Sequence, residues 1–228
     1  MNRRGFVAAF VLFFAAGAQA EFLIEPEVGT SVPVALGGRV SILTPLRLGA
    51  RVGVGYTPRG YVQAANAVAQ GFGAYDDSTA ELIENAASNA LYLSAQALFR
   101  FGKRRGFEVA AGYALLSGSG QATNRLLLES VTGQSFPGLP GTSQAQVQST
   151  IHNLAVDVGY RWLIREHWQV AASLGLVKPI ASSSSVDFPR FSGAGEKAVS
   201  QSIDDYLDET YKTYVYIPTV SVYAGYSF

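Results

Sequence analysis

The stretch Thr219–Phe228, with the sequence TVSVYAGYSF, decides the fold. Apolar side chains occupy alternate positions, and the positions between them carry small or polar side chains. The apolar set is Val220, Val222, Ala224, Tyr226 and Phe228. Because successive side chains of a strand point to opposite faces, the stretch predicts a β-strand with one apolar and one small, polar face. Lys212–Ile217 is expected to extend this strand, with Pro218 as an irregularity.

Other segments of the chain repeat this alternation. They are Leu46–Tyr56, Leu91–Phe101, Phe107–Leu115, Asn153–Trp162 and Trp168–Leu176. Each has roughly the ~10 residues that cross a membrane as a tilted strand. Their charges fall on one face, and aromatic residues gather near the strand ends. A soluble β-sandwich would place few aromatics there, whereas a membrane barrel places an aromatic girdle at the bilayer interface.

The connections alternate in length. Lys103–Gly106 and Arg165–His167 are short, whereas Pro58–Ser88, Gln121–Gln148 and Ser182–Tyr211 are long. Short periplasmic turns and long external loops are typical of outer-membrane barrels. The pattern therefore predicts an all-β fold, an antiparallel transmembrane β-barrel with its short turns in the periplasm.

Closure requires an even number of strands, so the beginning of the mature chain must supply the rest. Phe22–Gly29 is predicted to run outward, Pro33–Gly37 to bend, and Gly38–Thr44 to return. This hairpin brings the total to about eight strands. The alternative is that the same residues form one bent strand or an N-terminal plug.

Residues 1–20 have the organisation of a secretory signal peptide. Arg3 and Arg4 precede an apolar run, and Ala18-Gln19-Ala20 offers small residues for cleavage. A membrane anchor is the alternative, but a spanning helix needs ~20 apolar residues and this run is shorter. We expect residues 21–228 to form one mature barrel domain.

The composition limits the function. The chain has 17 basic and 17 acidic residues, and loss of Arg3 and Arg4 with the signal leaves 15 against 17. This near-neutral balance gives no indication of nucleic-acid binding. The chain has no cysteine, which excludes disulfides, thiol chemistry and acylation on cysteine. We expect no cofactor.

Charged residues on the inward faces of the predicted strands form the first candidate site. They are Glu25, Glu27, Arg39, Arg47, Arg51, Arg100, Glu108, Asp157 and Arg161. An eight-stranded barrel is just wide enough for side chains to fill it, and buried charges there must pair. A structural salt-bridge core is the favoured interpretation. A gated proton or ion path is the alternative.

Histidine chemistry is the second candidate. His152 lies near Ser149 and Thr150 at the predicted outer rim, where a histidine and a serine could modify lipid. His167 falls in a short turn. Asp204, Asp205, Asp208 and Glu209 could supply acids for proteolysis. No spacing indicates a catalytic group or a metal site, so we expect no enzyme activity and no metal.

Two loop segments are predicted to contain helices. Ser78 with Glu81 matches a capping box in the second loop. Ser200–Tyr211 places Ile203, Tyr206 and Leu207 on one helical face.

The signal peptide, strand pattern and terminal Tyr226-Ser227-Phe228 together resemble small Gram-negative outer-membrane barrels of the OmpA-transmembrane-domain, OmpX and OmpW type. Gly37-Gly38-Arg39-Val40, Ala74-Tyr75-Asp76-Asp77 and Tyr206-Leu207-Asp208 look similar to segments of deltaproteobacterial and myxobacterial barrels, a resemblance that implies no activity. Tyr226 and Phe228 look like the signal read by the barrel-assembly machinery.

The resemblance implies an outer-membrane location, a structural or surface-interaction role, and contact with outer-membrane lipids and lipopolysaccharide. A small channel for ions or apolar solutes is the alternative function, and a lipid-modifying enzyme is the third. We expect a monomer.

Overall fold

The computed structural model of the chain describes residues 22–71, 73, 77–123, 144–187 and 217–228. The strands are β1 Leu23–Val32, β2 Ala35–Leu43, β3 Leu48–Tyr56, β4 Leu91–Arg100, β5 Gly106–Thr123, β6 Gln144–Leu163, β7 Trp168–Asp187 and β8 Ile217–Tyr226. Between β3 and β4 lie two helices, α1 Arg59–Gly71 and α2 Asp77–Ala87. The predicted signal peptide, the expected strand extension over residues 212–216 and the predicted helix over residues 200–211 lie outside the described residues.

The eight strands form a closed barrel in which each strand pairs with its neighbours in sequence. All pairs are antiparallel, and β1 closes the ring against β8, with Val28 opposite Ala224. The predicted first hairpin is confirmed, because β1 and β2 pair from Leu23–Leu43 to Ser31–Ala35 around a turn at Pro33 and Val34. The alternative of a single bent strand or a plug is wrong.

Three strands are longer than the sequence pattern predicted. β5 continues to Thr123, β6 begins at Gln144 and β7 continues to Asp187. All three strands therefore include residues that had been expected to form loops. Outward side chains in these extensions are polar, and Ser117 and Thr150 approach each other through their hydroxyls at 3.3 Å. Apolar alternation detects only the part of a strand with an apolar face, so polar extensions escape it.

The helix predicted in the second loop is confirmed as α2, and α1 precedes it. Asn66 of α1 donates from Nδ2 to the carbonyl of Ala80 in α2 at 2.7 Å. Tyr61 of α1 and Thr30 of β1 share a hydrogen bond between hydroxyls at 2.6 Å, and α2 packs against β5 and β6. The helix pair is therefore fixed to the long-loop end of the barrel. No helix within the described residues is long and apolar enough to cross a membrane.

The two faces of the barrel wall have opposite character. In β8, Val220 and Val222 are exposed outward, whereas Thr219, Ser221 and Tyr223 are buried in the lumen. In β4, Leu91, Leu93 and Phe99 are exposed, whereas Gln96 and Arg100 are buried. The barrel thus has an apolar outside and a polar inside, the reverse of a water-soluble core.

Gly29 is required where the barrel closes. A β-carbon on Gly29 would overlap the carbonyl oxygen of Val222 and would lie 2.7 Å from Cα of Tyr223. The seam between β1 and β8 therefore has no room for a side chain at this position. Gly38 of β2 is different, because the nearest atom to a β-carbon there is the Glu27 carbonyl oxygen at 3.4 Å.

We predict that Gly29→Ala lowers the free energy of unfolding by about 2 kcal/mol, because strands β1 and β8 must separate to admit the methyl group. Urea titration in detergent micelles measures this change. The matched variant Gly38→Ala should change the value by less than about 0.5 kcal/mol. Equal effects of the two substitutions would contradict close packing at the seam.

Candidate functional site: the lumen ion-pair network

Glu108 of β5 is the centre of a buried network. The network lies near the short-turn end, the end of the barrel that carries the turns 44–47, 101–105 and 164–167. The Glu108 carboxylate accepts a hydrogen bond from Nη2 of Arg51 on β3 at 2.5 Å. Arg100 on β4 donates to it from Nη2 at 3.2 Å, and Arg161 on β6 donates from Nε at 3.1 Å. One carboxylate therefore joins three arginines that come from three different strands.

Two glutamates of β1 complete the network. Glu25 forms a bidentate pair with Arg100, with N···O distances of 2.9 and 2.6 Å. Glu27 accepts from Nε of Arg39 at 2.6 Å and also pairs with Arg161. Two parallel N–H···O bonds fix both the distance and the orientation of a pair. The network consequently sets how β1 lies against strands on the far side of the barrel.

The network spans most of the barrel. Its seven charged residues lie on strands β1 to β6, and they are Glu25, Glu27, Arg39, Arg51, Arg100, Glu108 and Arg161. The guanidinium of Arg39 also stacks over the Tyr223 ring of β8 at 3.7 Å. Arg100, Arg161 and Glu25 are fully buried. Removing a charge from water costs several kcal/mol per ion, so each of these groups depends on its partners.

A small polar cavity lies next to the network, toward the long-loop end. Its volume is about 30 Å³, and Arg39, Arg51, Asp157 and Gln96 contribute to its wall. Gln96 donates from Nε2 to Asp157 at 2.6 Å. Since one water needs about 10–15 Å³ of such space, the cavity has room for about two waters.

Apolar side chains fill the lumen near both ends. At the short-turn end Leu43, Leu98 and Ala110 pack together with Leu23. At the other end a second cluster includes Val34, Ala35, Ala114, Ala155 and Val177. The described part of the lumen therefore contains the ion-pair network, a small polar cavity and two apolar clusters.

The structure brings together seven of the nine residues predicted from the sequence to line the lumen. Asp157 lies beside them at the cavity. The prediction for Arg47 is wrong, because Arg47 is exposed in the turn before β3, where it has a φ of 68° and donates to the Phe101 carbonyl at 3.0 Å. The strand begins only at Leu48, so the alternation does not reach Arg47.

Sequence reasoning missed polar partners of the charges. Ser41 accepts from Nε of Arg51 at 3.1 Å, Gln96 binds Asp157, and Tyr223 contacts Arg39. All three lie on the inward faces of strands that were predicted. The alternation already placed these three side chains inward. A buried neutral side chain does not need an ionic partner, so nothing in the sequence marked them as partners of the charges.

The predicted serine–histidine pair is not assembled. Ser149 is buried in the lumen, whereas His152 lies on the outer wall and hydrogen-bonds through Nδ1 to the hydroxyl of Tyr113. His167 pairs through Nδ1 with the Ser227 carbonyl at 3.0 Å. In the part of the chain that the structure describes, no group of three or more metal-ligating side chains occurs. Asp204, Asp205, Asp208 and Glu209 lie outside the described residues.

Among the solved structures that match most of this chain are three bacterial proteins. A major outer membrane protein of Thermus thermophilus is 14% identical with a TM-score of 0.47, and the match covers 92% of this chain and 99% of that one. CarO2 of Acinetobacter baumannii is 14% identical with a TM-score of 0.41, covering 92% and 100% of the chains. CarO of the same organism is 15% identical with a TM-score of 0.40, covering 90% and 97%.

No protein-family model and no curated protein sequence matches the chain. Because the identities and TM-scores of the structures are low, no activity, ligand or location is transferred from them. The finer resemblance to deltaproteobacterial and myxobacterial barrels has no support from these comparisons.

We predict that Arg161→Met destabilises the barrel by about 2–3 kcal/mol, because the buried carboxylates of Glu27 and Glu108 each lose a charge-assisted hydrogen bond while Arg39, Arg51 and Arg100 still neutralise them. Chemical unfolding in detergent micelles, followed by tryptophan fluorescence, measures the difference. Methionine preserves much of the side-chain volume, so packing changes little.

Arg59→Met is the matched control. Arg59 pairs with Glu84 at 2.5 Å, but its side chain is 67% exposed at the helix pair. An exposed pair contributes about 0–1 kcal/mol. If both substitutions cost the same, the lumen network does not stabilise the barrel more than a surface ion pair does.

Proposed function

We propose that the chain is an integral outer-membrane β-barrel with a structural or surface-interaction role and a closed lumen. The observation that carries the proposal is the reversed polarity of the wall. Large apolar side chains point outward from every strand, and the ionised groups of β1 to β6 point inward. Such a surface is favourable in lipid and unfavourable in water.

The outward apolar side chains form a continuous band, the apolar belt, and its height supports membrane insertion. β3 has nine residues and β4 has ten, and at about 3.3 Å per residue with a tilt of about 40° they rise roughly 23–25 Å. Outer-membrane barrels have an apolar band of about 25 Å. Beyond the belt, the outward residues of β5 to β7 change to Ser119, Gln148 and Ser183, which are exposed.

Aromatic side chains mark the short-turn edge of the belt. Phe107, Tyr160 and Trp162 form a row with ring centroids 5.0 and 4.9 Å apart, and Trp168 and Tyr226 are 5.7 Å apart. Such residues favour the headgroup level. We place this edge in the periplasm and the helix pair α1–α2 outside the cell.

Several partners follow from this placement. Tyr226 and Phe228, at the end of the closing strand, are proposed to be read by the barrel-assembly machinery. The outer wall contacts outer-membrane lipids and lipopolysaccharide, and the barrel works as a monomer.

A structural role without enzyme activity is supported by Ser149 and His152, which lie on opposite faces of β6.

A channel for ions or small solutes is the second candidate. The polar cavity beside Arg39 and Asp157 is the feature that favours it. The buried ion pairs around Glu108 and the apolar clusters around Leu98 and Ala114 favour a closed lumen instead. Lipid modification is the third candidate, supported only by the rim position of His152.

We predict that the refolded protein shows no unitary conductance in planar lipid bilayers, because the ion-pair network and the two apolar clusters obstruct the described part of the lumen. A general porin recorded in the same bilayers is the positive control. Reproducible conductance steps that disappear when the protein is omitted would contradict the closed lumen and favour the channel.

The location has a separate test. We expect the expressed protein to fractionate with outer membranes and to migrate differently on gels before and after boiling, because a closed barrel resists detergent unfolding. Recovery in the periplasmic fraction without heat-dependent migration would overturn the proposed membrane location.

A further inference from the structure

The three turns at the end of the barrel opposite the helix pair, residues 44–47, 101–105 and 164–167, carry an unequal share of charge. Their exposed cations form what we call the basic collar: Arg47, Lys103, Arg104, Arg105 and Arg165. Within these turns Glu166 is the single acidic residue. The whole sequence balances 17 basic against 17 acidic residues, so the excess is a local feature of this end.

The collar does not take part in the lumen network. Arg47 donates to the carbonyl of Phe101 at 3.0 Å, and Arg104 donates to the carbonyl of Glu166 at 3.3 Å. These bonds join neighbouring turns and leave the arginines positively charged. Folding therefore holds the cations around the rim without neutralising them.

The collar lies directly beside the aromatic edge of the apolar belt. Phe101 and Phe107 flank the basic turn, and Trp162 and Trp168 flank the turn that contains Arg165. The side chains of Phe101, Phe107 and Trp168 are all more than half exposed. Aromatic side chains of this kind lie at headgroup level, so the cations next to them lie at the level of lipid phosphates.

We propose that the basic collar binds the headgroups of anionic glycerophospholipids in the adjoining leaflet. This inference rests on the membrane insertion proposed above. Phosphatidylglycerol offers the matching chemistry, a net negative charge on a phosphodiester. Arginine can grip the phosphate oxygens with paired N–H donors, and lysine adds a point charge. The collar thereby selects its lipid neighbours and fixes the depth of the short-turn end.

Trp162 and Trp168 provide a local readout, because they are the only two tryptophans of the chain and both lie at this end. The refolded protein is placed in vesicles of equimolar phosphatidylcholine and phosphatidylglycerol. In one sample the phosphatidylglycerol is brominated, and in the other the phosphatidylcholine is. Bromine quenches tryptophan on contact, so the ratio of quenching reports which lipid is enriched beside the collar.

We expect brominated phosphatidylglycerol to show an apparent preference of about fivefold, the effect of about one well-placed cation near an anionic headgroup. The triple variant Lys103→Gln, Arg104→Gln, Arg105→Gln should reduce the ratio toward one. The matched control is Lys178→Gln, which removes a cation from the outer wall near the opposite end and should leave the ratio unchanged. A ratio near one for the native chain, or an unchanged ratio in the triple variant, would overturn the proposal.

Salt provides a measurement that needs no variant. In about 1 M NaCl the Debye length falls to about 3 Å, so a preference based on headgroup charge should disappear from the native protein. Persistence of the preference at high salt would contradict the collar.

The same experiment separates failure of this inference from failure of the proposed function. If neither brominated lipid quenches the tryptophans, the apolar belt is not in lipid and membrane insertion itself is wrong. Equal quenching by both lipids preserves membrane insertion and rejects only lipid selection by the basic collar.

Discussion

Pairing of charge inside a closed ring of strands is the interaction on which the rest of this structure depends. Alternation sends every second side chain of each strand inward, and the apolar set goes outward. The inward set includes four arginines and three glutamates that are all buried. They are stable there only when Glu108, Glu25 and Glu27 each meet guanidinium groups from other strands. The register that allows these contacts is therefore the register of the whole barrel.

This constraint gives the two faces of the wall different roles. The inward face specifies the strand register through charge pairing and packing, so the outward face can consist almost entirely of apolar residues. The network joins β1 to strands that are not its neighbours, as in the pair between Glu25 and Arg100. Contacts of this kind oppose a slip of one strand, which would move its charges to the outer wall. Stability, register and a closed lumen then share one physical origin.

The sequence predicted the barrel and most of the network, and the reasons are specific. Val220 and Val222 alternate with Ser221 and Tyr223, so their faces could be assigned without coordinates. The same parity placed Glu108 and Arg161 in the lumen. Arg47 was misplaced because it lies in a tight turn with left-handed backbone, and β3 begins only at Leu48, two residues later than expected. The extensions of β5 to β7 were missed because their outward residues are polar. Which glutamate meets which arginine depends on barrel stagger, and a strand-by-strand pattern does not contain that information.

The most direct test of this account is a scan of single nitroxide labels along β8, which is possible because the chain has no native cysteine. Labels at Val220→Cys, Val222→Cys and Ala224→Cys should collide readily with oxygen dissolved in lipid and poorly with a water-soluble nickel complex. Labels at Ser221→Cys and Tyr223→Cys should be poorly accessible to both, because they point into a filled lumen. High accessibility of the inward positions to the nickel complex would contradict the closed lumen, and loss of the alternation would contradict the membrane-facing wall.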